Sequence, residues 1–77
     1  MPVQEMSDAR LAISAAKEAG AEEHAAADLG AAMHLLHSAE ENLKSQDYAI
    51  ARQDAVAAKI KALQALRLSE ASRNNDY

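Results

Sequence analysis

The apolar positions of the chain fall in rows at helical spacing. Met6, Ala9, Ile13, Ala16 and Gly20 follow one another by three or four residues and so share one face of a helix. Ala25, Leu29, Ala32 or Met33, Leu36, Ala39 and Leu43 make a second such row. Ala51, Ala55, Ala58, Ala62 and Ala65 make a third, and it consists of small residues alone. Beside it runs a row of larger side chains: Val56, Ile60, Leu63, and then Leu66 or Leu68. Nowhere do apolar and polar residues alternate with the β-branched and aromatic enrichment of a strand. The pattern predicts an all-α fold of three helices.

The breaks between rows set the predicted boundaries. A first helix is expected over about Gln4–Ala19, capped by Ser7 or an earlier residue, with Gly20 as its stop. A second is expected from His24–Ala26 to about Ser45, and Gly30 inside it implies a close helix crossing or a kink. The polar Lys44-Ser45-Gln46 leads into Asp47, a good N-cap for a third helix reaching Ser69–Arg73. The short break makes the second and third helices an antiparallel hairpin, with the first packed alongside. Residues 1–73 form a single helical domain in this reading, and 74–77 form a polar tail. The two apolar rows of the third helix imply two neighbours. Ala51 and its row allow close approach, while Val56, Ile60, Leu63 and Leu66 are the expected interaction face, most simply with further copies of the chain.

Composition sharpens this picture. Of 77 residues, 20 are Ala, so large apolar side chains are few and a single core is thin. Charge is unevenly spread. Residues 1–28 carry Arg10 and Lys17 against Glu5, Asp8, Glu18, Glu22, Glu23 and Asp28. Residues 49–77 carry Arg52, Lys59, Lys61, Arg67 and Arg73 against Asp54, Glu70 and Asp76. Opposite signs favour packing of the first helix on the last, within a chain or between chains. The net charge of −4 and the absence of Phe and Trp argue against a nucleic-acid partner. With no Cys there are no disulfides, thiolate metal sites or cysteine catalysis. No run of about 18 apolar residues is present, so a membrane would be reached only through a lipid anchor outside these residues.

The residues that could carry chemistry are sparse. His34, His37 and Glu41 can share a flank of the second helix, and imidazole with carboxylate suits zinc or iron. The His-x-x-His spacing matches neither the Glu-x-x-His of di-iron bundles nor the His-Glu-x-x-His of zincins, so these three are weak candidate ligands beside a plain solvated flank. Ser14, Ser38 and Ser45 lack a base-and-orienter arrangement at helical offsets, and Gly20 and Gly30 belong to no phosphate loop. No enzyme activity and no cofactor are expected. The basic third helix could be read as a membrane-surface helix, but Gln53, Asp54 and Gln64 interrupt it.

Two resemblances follow from the residues. The stretch "AEENLKSQDYAIARQDAVAAKIKAL" resembles a tetratricopeptide hairpin, with Ala39 as the small first-helix residue, Gln46-Asp47-Tyr48 at the usual Gly-Asp-Tyr turn, and Ala51 and Ala58 in the second helix. Gln46 stands in place of the glycine, no proline closes the unit, and one hairpin is present. More broadly, Ala9 to Ala65 is similar to a family of short bacterial envelope proteins with a helical domain of unknown function. Gly20-Ala21, His24-Ala25-Ala26, Leu29, Ala32, Leu36, Ala39 and Asp47-Tyr48 carry that likeness. His24 takes the family's aromatic position. The resemblance implies a non-catalytic interaction or scaffold module at the periplasm or the inner face of the outer membrane, bound to its own copies or to another envelope protein. Tyr48, the one internal aromatic, is expected to lay its ring over the turn against Leu43 and Ala51 behind the Asp47 cap, a structural place preferred to a binding one.

Overall fold

The computed structural model describes residues 1–74, and it is all-α. Four helices follow in order: α1 Val3–Glu18, α2 Ala21–His24, α3 Ala26–Lys44 and α4 Tyr48–Asn74. The second predicted helix, expected from His24–Ala26 to about Ser45, is α3, and the connection expected ahead of it forms a one-turn α2. The break is at Ala25, whose backbone leaves the helical region at φ −150° and ψ 45°. Of the polar tail expected over 74–77, Asn74 closes α4 and the remainder lies outside the described residues.

The helix ends follow the local chemistry. α1 starts directly after Pro2, with no side-chain cap, and Ser7 sits exposed within the helix. The fixed φ of proline organises a first turn without a capping hydroxyl, and the Met6 amide donates to the Pro2 carbonyl at 3.1 Å. Gly20 ends α1 in the left-handed region at φ 91°, where a glycine carries no steric cost. Gly30 does not mark a close crossing, and α3 runs through it unbroken. It lies exposed inside α3, and a Cβ built there meets nothing within 4 Å.

Ion pairs and polar contacts fix the directions of the long helices. Glu5 pairs with Arg52 at 3.3 Å and Asp8 with Lys59 at 3.9 Å, so α1 and α4 run parallel. Ser38 and Asn42 both reach Asp54, which lies one turn and a half into α4, so α3 and α4 run antiparallel. Arg10 reaches Glu40 at 3.1 Å between α1 and α3. The charge asymmetry between the two ends of the sequence is therefore satisfied within one chain. Each exposed pair adds only about 0–1 kcal/mol, so these pairs set register more than stability. The result is an up-down-up bundle, 49 × 18 × 14 Å, whose long axis follows the 27-residue α4.

The interior is built mainly of alanine. Ala51, Ala55, Ala58, Ala62 and Ala65 are fully buried along one face of α4. Ser69 extends this row by one more helical step, and its hydroxyl donates to the Ala65 carbonyl at 2.8 Å, which keeps the buried oxygen satisfied. Against the row pack Met6, Ala12, Ile13 and Ala16 of α1 and Leu29, Ala32 and Ala39 of α3. Met33 is exposed, so Ala32 is the core member of that pair.

The α3–α4 turn is closed by the main chain. The Asp47 amide donates to the Asn42 carbonyl at 2.8 Å and the Gln46 amide to the Leu43 carbonyl at 3.0 Å, the paired bonds of a Schellman motif. Gln46 occupies its left-handed position at φ 64°, a region that costs an L-residue about 1–2 kcal/mol. Gln46 therefore does the work of the turn glycine at an energetic disadvantage. Gln46→Gly is expected to raise stability by roughly 1 kcal/mol, measured as an upward shift of the thermal midpoint of about 4–8 °C.

Candidate interaction surface

The outward side of α4 carries the most distinctive surface feature. A helix with a fully buried Ala51–Ala65 row must present its opposite side to solvent, and that side holds the larger residues. Val56 is 42% and Ile60 49% exposed. They lie with Ala49, Arg52, Gln53 and Ala57 in one open apolar patch. The patch is lined by a single helix, so it is a surface for contact along a face, not an enclosed cavity.

The predicted interaction face divides in two. Val56 and Ile60 are outward. Leu63 and Leu66 turn toward the neighbouring helices and pack, half-buried, against the cluster containing Ile13, Ala16, Leu29 and Ala65. The reason is angular. Each residue advances about 100° around the helix, so Leu66 falls much nearer the buried alanines than Ile60 does. Of that four-residue row Val56 and Ile60 remain outward, while Ile50 and Leu68 are exposed on another flank of α4.

The turn residues Asp47, Tyr48 and Ala51 come together at the start of α4. The Asp47 carbonyl accepts from the Ala51 amide at 2.9 Å, which opens the helix. Ala51 is fully buried, whereas Tyr48 stays 41% exposed. The Schellman bonds to Asn42 and Leu43 close the hairpin, and Tyr48 stands partly exposed beside the turn.

The histidines do not form a metal centre. His37 lies 4.0 Å from Glu40 and 3.8 Å from Glu41 across exposed side chains, the ordinary one-turn neighbours of a helix flank. Among the described residues no three His, Cys, Asp or Glu side chains converge as a ligand set, so His34 is not brought to His37 and Glu41. The i, i+3 offset places His34 and His37 on one flank without aiming both rings at a single point. His24 instead reaches from α2 to α4, its Nδ1 3.1 Å from the Ser72 hydroxyl, and its ring lies over Gly20.

A half-buried polar seam joins α3 to α4, and the apolar rows gave no sign of it. Asp54 Oδ2 accepts from the Ser38 hydroxyl at 2.7 Å and from Asn42 Nδ2 at 2.9 Å. The signal was present in two facts: Ser38 and Asn42 are four residues apart on one helix face, and Asp54 is the only acid between Tyr48 and Ser69. One carboxylate oxygen thus takes two donors from the same face of α3. It is a register lock, because sliding α3 along α4 by one turn would strand a half-buried carboxylate without donors.

Among the described residues no helix is long and apolar enough to cross a membrane. Comparison with protein-family models, curated proteins and solved structures gave no match to this chain.

The register lock has a direct test. Ser38→Ala and Asp54→Ala should each destabilise the bundle by about 1–2 kcal/mol. A double-mutant cycle by urea denaturation should return a coupling energy of roughly 0.5–1.5 kcal/mol; additive effects would mean that the seam does not act as one unit.

Proposed function

We propose that this protein is a non-catalytic helical interaction module whose working surface is the outward face of α4. One observation carries the reading: α4 buries its alanines and leaves Val56 and Ile60 in solvent. Burying a large aliphatic side chain is worth about 1.5–3 kcal/mol, far more than burying a methyl group. A helix arranged this way forgoes stability in the isolated chain and keeps its larger apolar groups for a second contact.

The tetratricopeptide-like character of the α3–α4 hairpin belongs to this proposal. It is supported by Ala39, Ala51 and Ala58, the three positions where that repeat needs small residues, all of which are fully buried. Action at the bacterial envelope is proposed on the resemblance of Ala9–Ala65 to envelope helical domains. The partner is then another envelope protein or a second copy of the chain.

The test compares the native protein with Val56→Asp and Ile60→Asp. Both positions are exposed, so the variants should keep their helicity, with stability within about 0.5 kcal/mol of the parent. In pull-downs from envelope extract, the native chain should retain a protein that both variants lose. An identical set of bound proteins for all three would reject the α4 face as the working surface.

A further inference from the structure

The charge around the outward face specifies what it accepts. Between Tyr48 and Ser69, α4 carries Arg52, Lys59, Lys61 and Arg67 against the single acid Asp54; Asp54 is held inside the α3 seam by Ser38 and Asn42, and Lys59 is paired with Asp8 of α1 at 3.9 Å. Arg52 lines the apolar patch directly; its Nε pairs with Glu5, yet its side chain stays more than half exposed. Arg67 lies seven residues beyond Ile60, two turns along the same face, and is exposed, its Nε donating to the Leu63 carbonyl at 3.4 Å. Glu70 follows one turn later, past the end of the patch. The surface is thus a short apolar strip, Val56 and Ile60, with a guanidinium toward each end.

From this we infer that the α4 face docks an acidic amphipathic helix of another protein. The occupant would set two or three aliphatic side chains against Val56 and Ile60 and place carboxylates over Arg52 and Arg67. Those arginines are 15 residues apart, about 22 Å along a helix, so a partner helix of about four turns spans the strip. Helix-in-groove recognition works this way, with apolar anchors at i, i+3 and i+4 supplying affinity and flanking charge supplying selectivity. A second copy of α4 fits less well, since between Tyr48 and Ser69 it brings the same excess of arginine and lysine, and its exposed acid Glu70 lies past the end of the strip. A lipid surface is also the poorer fit. Gln53 and Gln64 interrupt the strip, and the described outward residues include no aromatic anchor of the kind interfacial helices carry.

This inference rests on the reading of α4 as the working surface, and the experiment separates the two. A library of helix-forming peptides, with aliphatic anchors fixed at one-turn spacing and flanking positions varied among Glu, Gln and Lys, is selected on the immobilised native chain. The selected peptides should be enriched in Glu. Replacing their flanking Glu by Lys should weaken binding at least about tenfold, the equivalent of 1.4 kcal/mol. Added salt should weaken it, Arg67→Glu should reverse the preference toward Lys, and Ile60→Asp should abolish binding. Peptides that need Ile60 but show no preference for Glu would overturn the acidic partner and leave the working surface standing. No Ile60-dependent peptide at all would overturn both. An Ile60-dependent dimer in sedimentation equilibrium would assign the face to a second copy, and Ile60-dependent binding to phosphatidylglycerol vesicles would assign it to a membrane; either result overturns the acidic helix.

Discussion

Close approach along the alanine row of α4 is the constraint on which the other features depend. Ala51, Ala55, Ala58, Ala62 and Ala65, continued by Ser69, limit the buried face of α4 to methyl groups and one hydroxyl. The bulk at this interface comes from the neighbours, as Met6, Ile13 and Leu29, and from the flanking Leu63 and Leu66, and alanine is also the strongest helix former. Both effects matter in a chain of this size, where a conventional aliphatic core would be thin. The same row dictates the remainder of α4. Once one face is committed to methyl groups, every larger aliphatic residue on the helix must sit at the flanks, as Leu63 and Leu66 do, or outside, as Val56 and Ile60 do.

An alanine interface is short of positional information, because a row of identical small residues packs almost as well after a shift of one step. The polar contacts supply what the alanines lack. Asp54 with Ser38 and Asn42 fixes α3 against α4, while Glu5–Arg52 and Asp8–Lys59 fix α1 against α4. The ion pairs contribute little energy at the surface, but a displaced register would separate all of them together. Main-chain geometry at Gln46 and Gly20 then fixes where the chain reverses.

The helical class, the hairpin and the buried row of α4 were legible in the sequence because they depend on spacing, which a helix converts directly into direction. The start of α4 after Asp47 and the stop at Gly20 were legible through turn chemistry. Three kinds of feature were not. The one-turn α2 is four residues long, too short to show a periodic face, so Ala21–His24 read as a connection ahead of α3. Gly30 signals a close approach in many helices, but here it lies on the solvent face, and nothing local reports which face that is. The division of Val56, Ile60, Leu63 and Leu66 into outer and half-buried pairs depends on where α1 lies, a tertiary fact. For the site residues, spacing could place His34, His37 and Glu41 on a common flank but could not show that their side chains fail to converge.

α4 has an inner alanine face and an outer aliphatic one. Ile13 and Ile60 allow the most direct comparison, being the same residue type at 6% and 49% exposure. Hydroxyl-radical footprinting of the dilute native protein, read by mass spectrometry for each residue, measures both in one sample. The account predicts that Ile60 is oxidised several-fold faster than Ile13, and that the two rates converge only on unfolding. Equal protection of the two isoleucines in the dilute native state would contradict it.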